Sequence, residues 1–121
     1  MTREEFEKLV EEVLESLPEE FAEKLDNVEV TVEEWPTIEQ LKLIQVKPGM
    51  TLFGLYQGVP RTKRANYSAV LPDKIIIFAG PILSVFGSDP EVVKQQVRKT
   101  VLHEIGHHFG MSEVEIQSAM K

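Results

Sequence analysis

The chain has 121 residues, with 13 Lys+Arg against 20 Asp+Glu and no cysteine. That is the size of one domain, spanning 1–121, and it excludes disulfides, thiolate metal sites and a cysteine nucleophile. The net charge of −7 argues against nucleic acid as the main partner.

Charge is spread unevenly. Residues 1–34 hold 13 acids against 3 bases, and residues 35–121 hold 7 acids against 10 bases. The acidic stretch reads as the solvated face of a helix. The first residues lack the basic-then-apolar pattern of a secretory signal. The longest apolar stretch, residues 75–86, is broken by Gly80, Pro81 and Ser84 and falls short of the roughly 18–20 residues that span a bilayer. A soluble cytoplasmic protein without a membrane partner is expected.

Thr2 and Glu5 have the spacing of a capping box. Phe6, Leu9, Val10, Val13, Leu14 and Leu17 then recur as the stripe of an amphipathic helix. Pro18 ends it, and a second short helix is predicted over 19–25. Residues 28–32 alternate and are β-branched, which predicts a strand. Trp35-Pro36 breaks it, and 37–44 is predicted as a short helix. Residues 47–50 form a Pro-Gly turn. A second strand is predicted over 51–57, with Gly54 marking a bulge or a close backbone approach. Residues 58–69 read as a polar loop carrying Arg61, Lys63 and Arg64. Residues 74–78 read as a buried strand, after which Gly80-Pro81 turns the chain. Asp89 as N-cap, Pro90 as N1 and Glu91 at the dipole's positive end open the main helix. Val93, Val97, Val101 and Ile105 form its buried stripe, and Gly110 ends it. Ser112 and Glu115 are a capping box for a last helix reaching Met120. The plan is α+β: a small mixed sheet packed by an N-terminal amphipathic helix and a central helix.

All three histidines lie at 103, 107 and 108. His103-Glu104-Ile105-Gly106-His107 is an H-E-x-x-H segment. Two histidines at i and i+4 share one face of a helix, where both can bind one Zn²⁺ ion, and the intervening glutamate serves as general base of a metallohydrolase. These residues lie beside the valine stripe and not on it. Catalytic zinc usually has three protein ligands, and no distant histidine exists. One zincin layout takes a glutamate from a later helix, but only 14 residues follow His107. The other turns at a glycine and takes a ligand three residues on, which here means Gly110 and Glu113. Glu113 reads equally well as the first residue of the last helix, favoured by its dipole, so the third ligand is a carboxylate or water. His108 points about 100° away from His107 and is expected to support the site or lie at the surface. Met111 and Met120 read as packing residues.

Residues 103–113, together with Gly54-Leu-Tyr-Gln-Gly-Val-Pro60 and Leu71-Pro-Asp73, resemble the small bacterial zincin-like metallopeptidases with a minimal matrix-metalloprotease-like domain. The resemblance covers the chain from about residue 28 onward. It implies a zincin fold, Zn²⁺ at His103 and His107, Glu104 as base and an acidic residue at position 113. The third histidine and the Met-turn of larger metzincins are missing.

A peptide or protein substrate is expected along an exposed sheet edge. Phe53, Gly54, Leu55 and Tyr56 are the chosen edge, because Ile75, Ile76 and Ile77 suit a buried strand. Two other functions fit the same residues: a zincin scaffold that binds metal or partners without catalysis, and a hydrolase of another polymer such as RNA. The missing third histidine and the acidic total weigh against the latter.

Overall fold

Thr2 caps the first helix. Its hydroxyl accepts from the Glu5 N–H at 3.1 Å, and the Glu5 carboxylate accepts from the Thr2 N–H at 3.2 Å, the reciprocal pair of a capping box. The structure is a computed structural model that describes residues 1–43, 52–58 and 73–120, the side chains of Leu43, Glu113 and Met120 excepted. In chain order the described elements are α1 (Arg3–Glu15), α2 (Glu19–Lys24), β1 (Val28–Glu33), α3 (Ile38–Leu43), β2 (Gly54–Gln57), β3 (Asp73–Phe78), α4 (Ala79–Phe86), α5 (Pro90–His108) and α6 (Glu113–Met120). The turn predicted at 47–50, the loop bases Arg61, Lys63 and Arg64, and Leu71 and Pro72 lie outside the described residues.

The three strands form one mixed sheet in the order β1-β3-β2. β1 runs parallel to β3, with Val28 opposite Asp73 and Glu33 opposite Phe78. β2 runs antiparallel to β3, with Gly54 opposite Ile77 and Gln57 opposite Lys74. This is the α+β architecture, with a small mixed sheet, that the sequence predicts.

β3 is central, and side chains alternate along it. Ile75 and Ile77 join Val32 and the stripes of α1 and α5 in the main core, whereas Ile76 and Phe78 join Leu52 and Leu55 in a second cluster with Leu41 of α3 packed against it. A strand covered on both faces needs apolar residues at consecutive positions, hence the unbroken Ile-Ile-Ile-Phe run. α5 is the hub: α1, α2, α4, α6, β2 and β3 all contact it. Its face toward them holds Val93, Val97, Val101, Leu102 and Ile105, each fully buried.

Both ends of α5 follow from its sequence. The Asp89 carboxylate accepts from the Glu91 N–H at 3.0 Å, with Pro90 as the first helical residue. At the other end Gly110 has φ of 73°, the left-handed conformation that glycine adopts at little cost. Its N–H donates to the His107 carbonyl at 3.2 Å, and the Met111 N–H donates to the Gly106 carbonyl at 2.8 Å. These two bonds make a Schellman motif, which stops the helix one residue after His108 and directs the chain into α6.

Two predicted features change. The strand over 51–57 is paired only from Gly54, although the Phe53 carbonyl accepts from the Phe78 N–H at 2.9 Å; Thr51 lies outside the described residues. Gly80-Pro81 does not turn the chain: both belong to the first turn of α4. There a proline forfeits no intrahelical hydrogen bond, and the Gly80 N–H instead donates to the Glu34 carbonyl at 2.7 Å.

Gly106 lies where α6 crosses α5. A Cβ on it would stand 2.5 Å from both Cγ1 and Cδ1 of Ile116, a residue with no exposure. Gly106→Ala is therefore expected to destabilise the protein by about 1–3 kcal/mol through overpacking. At an open helix position the same change would stabilise by up to about 1 kcal/mol. Urea unfolding measures the sign, and a more stable variant would show that α6 does not pack this closely.

Candidate active site

α5 presents two adjacent rows of side chains, each with a step of four residues. One row is Gln96, Thr100, Glu104 and His108. The other is Lys99, His103 and His107. The first row faces β2. A Cβ on Gly54 would stand 2.5 Å from Thr100 Cγ2 and 3.7 Å from Glu104 Cγ, so the glycine in β2 marks a close approach and not a bulge. Two residues further along β2, the Tyr56 ring stacks on the His108 ring with centroids 3.7 Å apart. The match is geometric: two strand residues advance about 6.6 Å and four helix residues about 6.0 Å.

The close approach buries Glu104 partly against the strand. Burial pushes its carboxyl from 4.5 up to about 7, because a poorly solvated carboxylate favours its neutral form. In the neighbouring row His103 Nδ1 and His107 Nε2 lie 3.3 Å apart, and the rings stack at 5.4 Å and 19°. Two nitrogen ligands of a tetrahedral Zn²⁺ at 2.0–2.1 Å stand about 3.3–3.4 Å apart. The separation matches two corners of such a site and is also that of a hydrogen bond between the two rings. Among the described residues no group of three His, Asp or Glu side chains could hold a metal. Glu113 begins α6, three residues after Gly110, and its side chain lies outside the described residues.

The two rows and β2 enclose a cleft of about 360 Å³ lined by Phe53, Gly54, Gln96, Lys99, Thr100, His103 and Glu104. Phe53 is braced by Phe86 at the end of α4, with ring centroids 5.4 Å apart. Leu55 faces the other side of the sheet and is buried in the second core cluster. Of the four predicted edge-strand residues, Phe53 and Gly54 line the cleft, Tyr56 lies at His108, and Leu55 is packing.

His108 is placed away from the other two histidines. Besides Tyr56 it meets Asp73, with Nε2 3.9 Å from Oδ2, and the Tyr56 hydroxyl donates to that same oxygen at 2.9 Å. This clasp ties the end of α5 to the two strands. The sequence alone does not single out Asp73 as a partner of His108, nor Lys99, Gln96 and Thr100 as cleft residues. The helical signal for the last three was present, since they precede His103 and Glu104 by whole steps of four in the two rows; the signal for Asp73 exists only in the strand pairing.

The outer edges of the sheet differ. On β1 the Arg3 guanidinium donates to the Val32 carbonyl, so a helix side chain covers part of that edge. Among the described residues β2 pairs only with β3.

Glu104 gives the metal-free protein a specific pH dependence. Its folded pKa is raised, so its contribution to stability is fully present below about 4.5 and is lost as pH rises to about 7. The loss is on the order of 3 kcal/mol. Thermal melts of metal-free protein between pH 4.5 and 8 are expected to show this decline, and Glu104→Gln to remove it. Parallel slopes in parent and variant would mean that Glu104 is solvated.

The family model of zincin-like metallopeptidases matches residues 25–120. None of the curated proteins matches the sequence. Among solved structures, a conserved hypothetical protein of the bacterium T. thermophilus is similar, with 28% identity and a TM-score of 0.57 over 90% of this chain and 94% of that one. No helix among the described residues is long and apolar enough to cross a membrane. The family match takes in the sheet, α5 with its histidine pair, and α6, and the chain belongs to the zincin-like metallopeptidase family.

Proposed function

We propose that this protein is a zinc-dependent peptidase, acting on an extended segment of a peptide or protein that lies along the outer edge of β2. The observation that carries the reading is the histidine pair at metal-ligand spacing, with the half-buried Glu104 carboxyl on the same turn of the helix. His103 and His107 would hold one Zn²⁺, with Glu113 or water completing the shell. Gly110 supplies the turn that carries the chain from α5 into α6, where Glu113 stands. When bound, the metal acidifies a water molecule and polarises the scissile carbonyl.

Glu104 performs the proton transfers. Its carboxylate accepts a proton from the attacking water and then donates it to the leaving nitrogen. A pKa near the working pH suits a group that must both take and give a proton. The cleft wall formed by Gly54 limits water around the carboxylate. Strand addition to β2 would bring a peptide's backbone past Glu104, whereas Arg3 obstructs the β1 edge. Tyr56, Asp73 and His108 hold β2 against the end of α5, which fixes the spacing between the peptide and the histidines.

The test is hydrolysis of unstructured peptides by zinc-loaded protein, with zinc content measured in the same samples. Glu104→Gln is expected to keep its zinc and to lose about 10²–10⁴-fold in kcat. His103→Ala and His107→Ala are expected to lose zinc as well as activity. Equal cleavage by parent and Glu104→Gln would remove Glu104 from the mechanism. Zinc uptake without turnover of any peptide in a broad library would favour a non-catalytic zincin scaffold.

A further inference from the structure

Lys99 lies in the same row as His103 and His107, one turn nearer the start of α5, and lines the cleft beside Glu104. The chemistry of the cleft at that end is one-sided. The Thr100 hydroxyl is engaged, donating to the Gln96 carbonyl at 2.8 Å. Phe53 and Gly54 offer an apolar wall. Among the described residues the polar groups left to meet a ligand there are the Lys99 ammonium, which only donates, and the Gln96 amide. Among the described residues Lys99 makes no ion pair, unlike Lys94, which reaches Glu12 at 3.2 Å on the other side of the helix. Among the described residues Glu104 is the one carboxyl lining the cleft. A substrate side chain seated there therefore meets a cation across from an aromatic wall, in a protein whose overall charge of −7 would otherwise repel acidic ligands.

We infer that this cleft is a substrate subsite for a carboxylate, and that Lys99 is the residue that selects it. The inference rests on the peptidase reading above and specifies its substrate: a peptide whose Asp or Glu side chain, or whose free C-terminal carboxylate, falls beside Lys99 when the scissile bond lies at Glu104. Gln96 adds a neutral hydrogen-bond donor to the same group. Lys99 is exposed, so the discrimination is that of a charge-assisted hydrogen bond partly screened by water.

Two measurements separate the subsite from the catalysis. The first uses metal-free Glu104→Gln protein and NMR titration with three series of peptides built on one unstructured sequence. The first series carries a single Glu moved through each position with an amidated end, the second carries Gln in its place, and the third is truncated to end in a free carboxylate at each of those positions. Binding of at least one carboxylate peptide about 3–10-fold tighter than the Gln peptide is expected, and the arm that shows it identifies side chain or terminus as the source. Adding Lys99→Glu should abolish that preference and favour a peptide with Lys at the same position. The second measurement compares kcat/KM for the same peptides in zinc-loaded parent and Lys99→Glu protein, where the same inversion is expected. A preference that persists in Lys99→Glu, or equal binding of carboxylate and amide peptides, would overturn the role of Lys99. Cleavage without preference would sink the subsite and leave the peptidase reading standing. Selective binding without cleavage would do the reverse.

Discussion

The long helix α5 presses against β2 at a residue that has no side chain. A methyl group at Gly54 would overlap Thr100 and touch Glu104, so the distance between helix and strand depends on that glycine. Most of the candidate site follows from this one spacing. It removes water from Glu104 and raises its pKa. It forms one wall of the cleft. It also aligns the strand with the helix, two residues to four, so that Tyr56 meets His108 and the His103–His107 row is left facing outward.

The core makes that spacing rigid. α5 is buried on one side by six neighbouring elements, and β3 is buried on both faces. The helix cannot retreat from β2 without opening the main core, where loss of even one methyl-sized contact costs roughly 1 kcal/mol. The cost of partly burying a carboxyl is therefore imposed by packing elsewhere. Such conflicts between local preference and global fold gather at functional sites. The helix terminus adds a second constraint: the Gly110 turn stops α5 just past His108, while Gly106 lets α6 cross close to the second half of the motif.

What the sequence reveals depends on how local each feature is. The caps at Thr2, Asp89 and Ser112 and the stop at Gly110 need only neighbouring residues, and all four form as read. The triple-isoleucine strand is legible because double-sided burial leaves a continuous apolar run. α4 is hidden because Gly-Pro reads as a turn by itself; its helical placement depends on Glu34, far away in sequence, accepting from Gly80. The histidine pair is legible from its spacing of four. The raised pKa of Glu104 is not, because it arises from burial beside β2, whose Gly54 lies fifty residues earlier in the chain. The His108–Tyr56–Asp73 clasp is invisible for the same reason: three elements meet there, and each residue alone resembles an ordinary surface group.

The proposed function divides the three histidines: His103 and His107 would share one metal, and His108 meets the strands at Tyr56 and Asp73. ¹⁵N NMR of the histidine rings during Zn²⁺ titration of the metal-free protein tests this division. The His103 and His107 resonances are expected to shift together and saturate at one equivalent, while those of His108 keep the pattern set by Tyr56 and Asp73. A shift of His108 in step with either of the other two, or no change at His103 and His107, would contradict it.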